Sequence, residues 1–149
     1  MRASRLLQSP LVSVKDRFAQ RFRLLAWLRG SLVVGAVYDL MFALLMVAAP
    51  GVPAQMLHLP LPPLPEGAFY LWVLAVLLAM LAALYLLAAH DTRRYSGIVA
   101  VAVGGRLLGA LALAVAAWRG PGLEGLVPLA AADAAFGLAH AAFWWPIRS

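Results

Sequence analysis

"AFYLWVLAVLLAMLAALYLLAA", residues 68 to 89, contains no charged side chain. The length of this uncharged stretch indicates the fold class. An α-helix rises about 1.5 Å per residue, so this stretch is long enough to cross a hydrocarbon core of roughly 30 Å. Three other windows of similar length are predominantly apolar: residues 32–49, 97–118 and 126–145. We therefore predict an all-α integral membrane protein with four transmembrane helices.

Composition agrees with this prediction and divides the chain in two. Of the 149 residues 64% are hydrophobic and only 12% are charged, which is outside the range of soluble domains. Residues 31–149 form the predicted bundle, whose short connections favour an up-down arrangement of antiparallel neighbours. Residues 1–30 form an N-terminal arm. The absence of cysteine excludes disulfides and thiolate sites for metals or catalysis.

The N-terminal arm is strongly basic, holding seven of the twelve Lys and Arg residues. Its apolar residues recur at helical spacing, which is typical of an amphipathic helix lying in a membrane interface. Anionic lipid is therefore the predicted partner of the arm, and nucleic acid is not. A solvated arm that only sets topology, or a helix that docks a partner, would explain the same charges. The basic residues off the apolar stripe are Lys15, Arg17, Arg21 and Arg23.

The distribution of positive charge predicts the orientation. Residues 50–67 contain no Lys or Arg, whereas the arm, the 90–96 connection and the C-terminal end all contain Arg. Positively charged loops stay on the cytoplasmic side. We expect a multi-pass protein of the bacterial cytoplasmic (inner) membrane with both termini in the cytoplasm.

The connection between the first two spans, residues 49–67, carries six prolines. Proline removes a backbone donor, so we expect this segment to be extended or turned. It would be either a compact linker or a lid over an outward-facing pocket. His58 lies here without a second ligand nearby in sequence, and we predict no metal site.

Three charged residues, Asp39, Arg106 and Asp133, fall near the middle of predicted spans. An ionised residue at that depth costs about 2.5–3.5 kcal/mol, while a leucine returns only about 0.3–0.6 kcal/mol. They should therefore meet, with Arg106 bridging the two carboxylates. Because two acids and one arginine leave a formal charge of −1, either one aspartate holds a proton or a cation joins the cluster.

Two histidines extend the polar pattern toward the predicted cytoplasmic side. His140 shares a helical face with Asp133, and His90 ends the second span. One interpretation is a proton path through His140 to Asp133. The other is that the two histidines are unrelated, with one hydrogen-bonded inside the bundle and one at the interface. A haem between them would need both rings to face one cavity. We predict no cofactor.

Two further patterns concern helix packing. Gly105 and Gly109 form a small-xxx-small motif, which predicts close packing within the bundle more than a dimer interface. The pattern D-x-x-F-small-L begins at Asp39 and recurs at Asp133. It indicates either an inverted pseudo-repeat around a midplane site or chance similarity between Ala/Leu-rich helices.

Residues 30–145 resemble small bacterial four-helix membrane proteins of the broad DoxX-like kind. The resemblance rests on "GAVYDLMFALLMVAAP" (35–50), the proline-rich connection, "FYLWVLAVLLAMLAALYLLAAHDTRRY" (69–95) and "GRLLGAL" (105–111). The Arg-Gly-Phe-Gly-Lys spacing expected in the first helix of DoxX itself is absent. The resemblance implies the fold and association with a larger membrane or redox complex, and no site residues.

Three functions remain open at this stage. The first is a non-catalytic accessory or scaffold subunit of a membrane complex, or a homodimer, with a buried Asp/Arg/Asp cluster. The second is a proton-coupled carrier of a small ligand or ion that uses the same cluster. The third is an intramembrane enzyme or binder of a lipid or quinone, with Tyr38 or Tyr85 beside an aspartate. No nucleophile–base pair or phosphate-binding loop is present, so we assign no catalytic residue and do not favour an enzyme.

Overall fold

The computed structural model describes residues 14–60 and 66–148, of which 86% are helical and none is in a strand. Within these residues, four helices are long and apolar enough to cross a membrane, which confirms the predicted all-α class and the predicted number of helices of spanning length. The helices are α1 (Val14–Ala48), α2 (Gly51–Met56), α3 (Glu66–His90), α4 (Ser96–Arg119) and α5 (Leu126–Trp144), followed by a 3₁₀ turn at Trp145–Ile147.

The first helix runs through the boundary that we expected between arm and span. α1 is continuous from Val14 to Ala48, so the described part of the arm is the amino-terminal half of a single helix. Neither Pro nor a cluster of turn residues interrupts it near residue 30, and the Ser31 hydroxyl donates to the carbonyl of Leu28 at 2.9 Å. That local bond satisfies the hydroxyl without breaking the helix.

The proline-rich connection differs from our expectation, because it contains the short helix α2. Pro50 occupies the N-cap position with helical φ and ψ, and Pro53 is the third residue of the helix. The first four N–H groups of a helix have no intrahelical acceptor, so a proline there costs no hydrogen bond. The prediction of a wholly extended or turned segment was therefore wrong for residues 51–56, and residues 61–65 lie outside the described part.

The four long helices form a ring in which each contacts two neighbours. α1 packs against α3 and α5, and α4 packs against the same two helices. Within the described residues, no Cα atom of α1 lies within 8 Å of one in α4, so these two helices face each other diagonally. Small side chains fill much of the interior, which lets helices approach closely in lipid. They include Ala36, Ala75, Ala82, Ala88, Ala102 and Ala110.

The outer surface of the ring is apolar. Large hydrophobic side chains are exposed on all four long helices, for example Leu44, Val76, Leu108 and Leu138. A soluble monomer rarely exposes contiguous apolar patches of that extent, whereas hydrocarbon tails solvate them. The carboxyl-terminal 3₁₀ turn packs back on α1, so the end of the chain lies beside the amino-terminal half of that helix.

A candidate functional site around Arg106

Arg106 of α4 holds both aspartates of the predicted cluster. Its Nη2 donates to Oδ1 of Asp39 on α1 at 2.6 Å, and its Nη1 donates to Oδ1 of Asp133 on α5. Charge-assisted bonds of this kind are among the strongest that side chains make. The structure thus brings together the three residues that hydropathy and depth had paired. We call them the Asp–Arg–Asp triad.

The triad connects α1 with α4, two helices whose backbones are not in contact. Because α1 and α4 lie diagonally across the ring, the bond to Asp39 is made by the full length of the arginine side chain. A planar guanidinium presents separate N–H groups to two acceptors, which an ammonium on a lysine would do with less directional control. Arg106 therefore joins side chains of three helices, α1, α4 and α5.

The two aspartates differ in exposure. Asp39 is 0% exposed and Arg106 is 6% exposed, while Asp133 is 18% exposed. Asp39 Oδ2 and Arg106 Nε are buried and have no hydrogen-bond partner among the described residues. Asp39 is consequently closed to solvent and bonded through Oδ1, and its second carboxylate oxygen is free to carry a proton.

Aromatic rings surround the guanidinium. The centroids of Tyr38, Tyr85 and Phe136 lie 5.8, 5.3 and 5.3 Å from Cζ of Arg106. The negative face of an aromatic ring attracts a cation, and the effect is larger away from water. The two tyrosines, which the sequence suggested only as neighbours of a catalytic carboxylate, thus lie within cation–π distance of the arginine. Helical spacing alone did not reveal that three rings would converge on one group.

The two histidines lie in different environments. His140 is 0% exposed, with its ring 5.9 Å from the Tyr85 ring and 6.1 Å from the Phe136 ring. The main chain of Ser31 faces the ring, but neither ring nitrogen completes a hydrogen bond with a described residue. His90 is exposed at the last residue of α3. The structure therefore places His140 beside the triad's aromatic shell and leaves His90 on the surface.

The two predicted packing glycines, Gly105 and Gly109, lie in different surroundings. A Cβ atom built on Gly109 would lie 3.0 Å from Oδ2 of Asp133, so this glycine gives the carboxylate its space. A Cβ on Gly105 would meet no atom within 4 Å, and Gly105 does not pack against a described residue there. Gly137 was not predicted as a packing residue, although a Cβ there would lie 2.9 Å from Leu107 and 3.2 Å from Cβ of Arg106. Its position four residues after Asp133 was the available signal.

The residues of the repeated D-x-x-F pattern lie together. Arg106 binds both aspartates, and the ring of Tyr38 lies 5.0 Å from Phe42 and 5.5 Å from Phe136. The two phenylalanines therefore share one aromatic neighbour. Whether the pattern is an inverted repeat stays a prediction.

The basic arm is described in part. Arg17, Arg21 and Arg23 are exposed on α1, whereas the side chain of Lys15 lies outside the described part. Within residues 14–60 and 66–148, no group of three His, Asp or Glu side chains is arranged to hold a metal ion.

No family model matches this chain, and neither a curated protein nor a solved structure matches it. The resemblance to DoxX-like proteins accordingly stays a prediction.

Proposed function

We propose that this protein is a non-catalytic integral membrane subunit or scaffold in which the Asp–Arg–Asp triad fixes the arrangement of α1, α4 and α5. One observation carries the proposal: Arg106 is bonded to carboxylates on two other helices and is almost fully buried. A group that must bind and release a substrate needs access, and Asp39 has none.

The energetics of buried charge support a structural role. Removing one member of a buried ionic set leaves an uncompensated charge and costs about 3–5 kcal/mol, whereas replacing the whole set by apolar residues is often neutral. In lipid, where apolar contact alone gives little preference for one helix register, a single ionic set selects the register in which all its members meet. That selection is the use best attested for buried polar groups.

Two sets of contacts support the expected topology. A Cβ built on Gly125, just before α5, would clash with the backbone carbonyl of Leu57, just after α2. At another place Arg21, Arg93 and Arg148 line one cavity, which joins α1, the α3–α4 connection and the carboxyl-terminal end. Both contacts follow if the helices alternate up and down. Since Lys and Arg favour the cytoplasm, the proposed orientation places both termini on the cytoplasmic side of a bacterial inner membrane.

The proposed partners are the lipid bilayer, with anionic lipids at the basic arm, and either a larger membrane complex or a second copy of the chain. The apolar outer faces of all four long helices support this proposal. Native mass spectrometry of the gently extracted full-length chain would test it. Co-purified subunits or a stable homodimer would support a scaffold, and a monomer with a stoichiometric small ligand would contradict it.

The structural role of the triad has a separate test. The triple variant Asp39→Leu, Arg106→Met, Asp133→Leu should extract as a helical, monodisperse protein, because no unpaired charge remains. The single variant Arg106→Met should not. Leu108→Ala, on the exposed face of the same helix, is the control for loss of side-chain volume in α4. A triple variant that unfolds while this control stays folded would contradict a merely structural triad.

A proton-coupled carrier is the second candidate, favoured by one observation. The triad has two carboxylates for one guanidinium, and Asp39 Oδ2 is buried without a hydrogen-bond partner among the described residues. One aspartate could therefore take up and release a proton. Infrared titration of the carboxyl bands in lipid, on wild type and on Asp39→Asn, would test this. If no carboxyl titrates between about pH 5 and 9, coupling near neutrality is excluded.

A further inference from the structure

We propose that Arg21, Arg93 and Arg148, which we call the arginine pocket, bind a phosphate group at the end of the bundle formed by α1, the α3–α4 connection and the carboxyl-terminal end. This site is separate from the triad, and the proposal holds whichever function the triad has.

The pocket is a cavity of about 380 Å³ built from three segments of the chain. Arg21 comes from α1, Arg93 from the α3–α4 connection and Arg148 from just beyond the 3₁₀ turn. A cavity of this volume is within the range of small-molecule sites. Because the three arginines are far apart in sequence, their convergence is a product of the fold and not of a local run of charge.

The three guanidinium groups are not neutralised by acids. Both ion pairs found among residues 14–60 and 66–148 belong to Arg106, so none of the three pocket arginines has a carboxylate partner there. Asp91 lines a second cavity that shares Arg93, and its Oδ1 accepts the backbone N–H of Arg94 at 3.1 Å. The arginine pocket itself has no acidic residue in its wall. Three arginines around one cavity, none of them in an ion pair with a described residue, favour an anionic occupant.

A buried hydroxyl lies between the two cavities. Thr92 is 3% exposed and lines both, and its Oγ1 has no hydrogen-bond partner among the described residues. A buried hydroxyl without a partner is uncommon, because the lost hydrogen bond to water is not replaced. Rotation about χ1 could bring this hydroxyl to an oxygen atom bound in the pocket.

The start of α4 adds backbone donors. Ser96 is the first residue of α4 and lines the pocket, and no side chain caps this end of the helix. The first N–H groups of a helix lack intrahelical acceptors and carry partial positive charge. Together with arginines, such a helix end is well suited to phosphate.

Arg148 is held in position by aromatic rings. Its Cζ lies 3.2 Å from the centroid of Trp145 and 5.5 Å from that of Trp144, which also lines the pocket. Stacking restrains the guanidinium and leaves its charge available. The planar N–H fork of arginine can donate to two oxygen atoms of a phosphate at once, whereas a spherical anion such as chloride offers a single acceptor, and we therefore assign phosphate.

Two sources could supply that phosphate: the headgroup of an anionic phospholipid, or free phosphate. Leu25 and Ile147 give the pocket an apolar side, and the outer faces of the adjoining helices are apolar. Acyl chains could therefore follow the helices while the phosphate occupies the arginines. Basic pockets between transmembrane helices bind lipid headgroups in this way.

The experiment uses the full-length chain in an uncharged detergent. Binding is measured for inorganic phosphate, for a short-chain phosphatidylglycerol and for a diacylglycerol with the same acyl chains. The test variant Arg21→Gln, Arg93→Gln, Arg148→Gln is compared with Arg17→Gln, Arg23→Gln, Arg94→Gln. The control variant loses the same charge from exposed arginines that line neither cavity.

We expect phosphatidylglycerol to bind wild type and control alike and to bind the pocket variant at least about tenfold more weakly, since each lost arginine removes charge-assisted hydrogen bonds. Phosphatidylglycerol binding without phosphate binding identifies a lipid headgroup, and comparable binding of inorganic phosphate identifies the free ion. Equal weakening in both triple variants would overturn the site in favour of diffuse attraction. Binding of diacylglycerol with equal affinity would overturn the role of phosphate.

A second comparison covers the case in which the triple pocket variant fails to fold. Arg93→Gln and Arg94→Gln change adjacent residues of one connection, and only Arg93 lines the pocket. Selective loss of phosphatidylglycerol binding in Arg93→Gln supports the site. Equal binding by the two single variants would contradict it.

Discussion

The Asp–Arg–Asp triad and the arginine pocket differ in how the positive charge of arginine is balanced. At the triad one guanidinium meets two carboxylates and three aromatic rings, and almost no surface is left accessible. At the pocket three arginine residues line a cavity whose wall contains no acidic residue. The guanidinium of the triad has its ion-pair partners within the protein, whereas the pocket arginines have none among the described residues and could bind an anion from outside.

Depth explains the difference. The triad residues lie well inside apolar spans, where an unpaired charge is costly, so the protein itself must supply the partners. The pocket lies where α1, the short α3–α4 connection and the carboxyl-terminal end meet, and its three arginines are exposed. There an unpaired guanidinium costs little and keeps its capacity to bind.

The strongest way to break the comparison is to remove the guanidinium of the triad. Arg106→Met should destabilise the bundle by about 3–5 kcal/mol, because Asp39 and Asp133 are left without their partner. Reversible unfolding in mixed micelles would measure the change, with Leu108→Ala as the control. A loss of stability no greater than that of the control would mean that the ion pairs of the triad contribute little to the stability of the bundle.

The two aspartates should differ when each is neutralised. Asp39→Asn should cost about 1.5–3 kcal/mol, because its charge-assisted bond to Arg106 is fully buried. Asp133→Asn should cost less, about 1 kcal/mol, since this carboxylate is 18% exposed and water can replace part of the bond. The same unfolding assay compares them, and an equal or reversed order would contradict the difference in burial.

A matched pair of glycine variants tests the space around Asp133. Gly109→Ala should destabilise by about 1 kcal/mol, because the new methyl group would lie 3.0 Å from Asp133 Oδ2 and force that carboxylate to shift. Gly105→Ala meets no atom within 4 Å and should be neutral or stabilise by up to about 1 kcal/mol through helix propensity. Thermal unfolding of the two variants side by side measures this. Equal effects would show that Gly109 does not make room for the carboxylate.

The smallest effect on folding is expected at the arginine pocket. Arg93→Gln and Arg94→Gln should each change the free energy of unfolding by no more than about 0.5 kcal/mol, because both side chains are exposed and neither is in an ion pair with a described residue. Chemical unfolding without added phosphate or anionic lipid measures this. A large loss of stability for Arg93→Gln alone would mean that Arg93 stabilises the fold. The pocket would then resemble the triad, and the contrast between the two sites would not hold.

Residue types and their spacing were enough to predict four helices of membrane-spanning length and the three members of the triad. Long apolar windows leave few alternatives to helices, because backbone groups in lipid must bond within their own segment. The cost of an isolated charge then predicted that Asp39, Arg106 and Asp133 would meet. Both conclusions rest on transfer free energies, which depend on residue type and depth and need no knowledge of neighbours.

Only the tertiary structure decided which surfaces meet. Four features were not predicted from the sequence. They are the aromatic rings around Arg106, the different surroundings of Gly105 and Gly109, the helix α2 within the proline-rich connection, and the arginine pocket. Each depends on how helices are rotated and placed about one another, and in an apolar solvent hydrophobicity hardly constrains that rotation. Arg148 illustrates the point, because it lines a cavity with Arg21 of α1 only when the carboxyl-terminal turn packs back on α1.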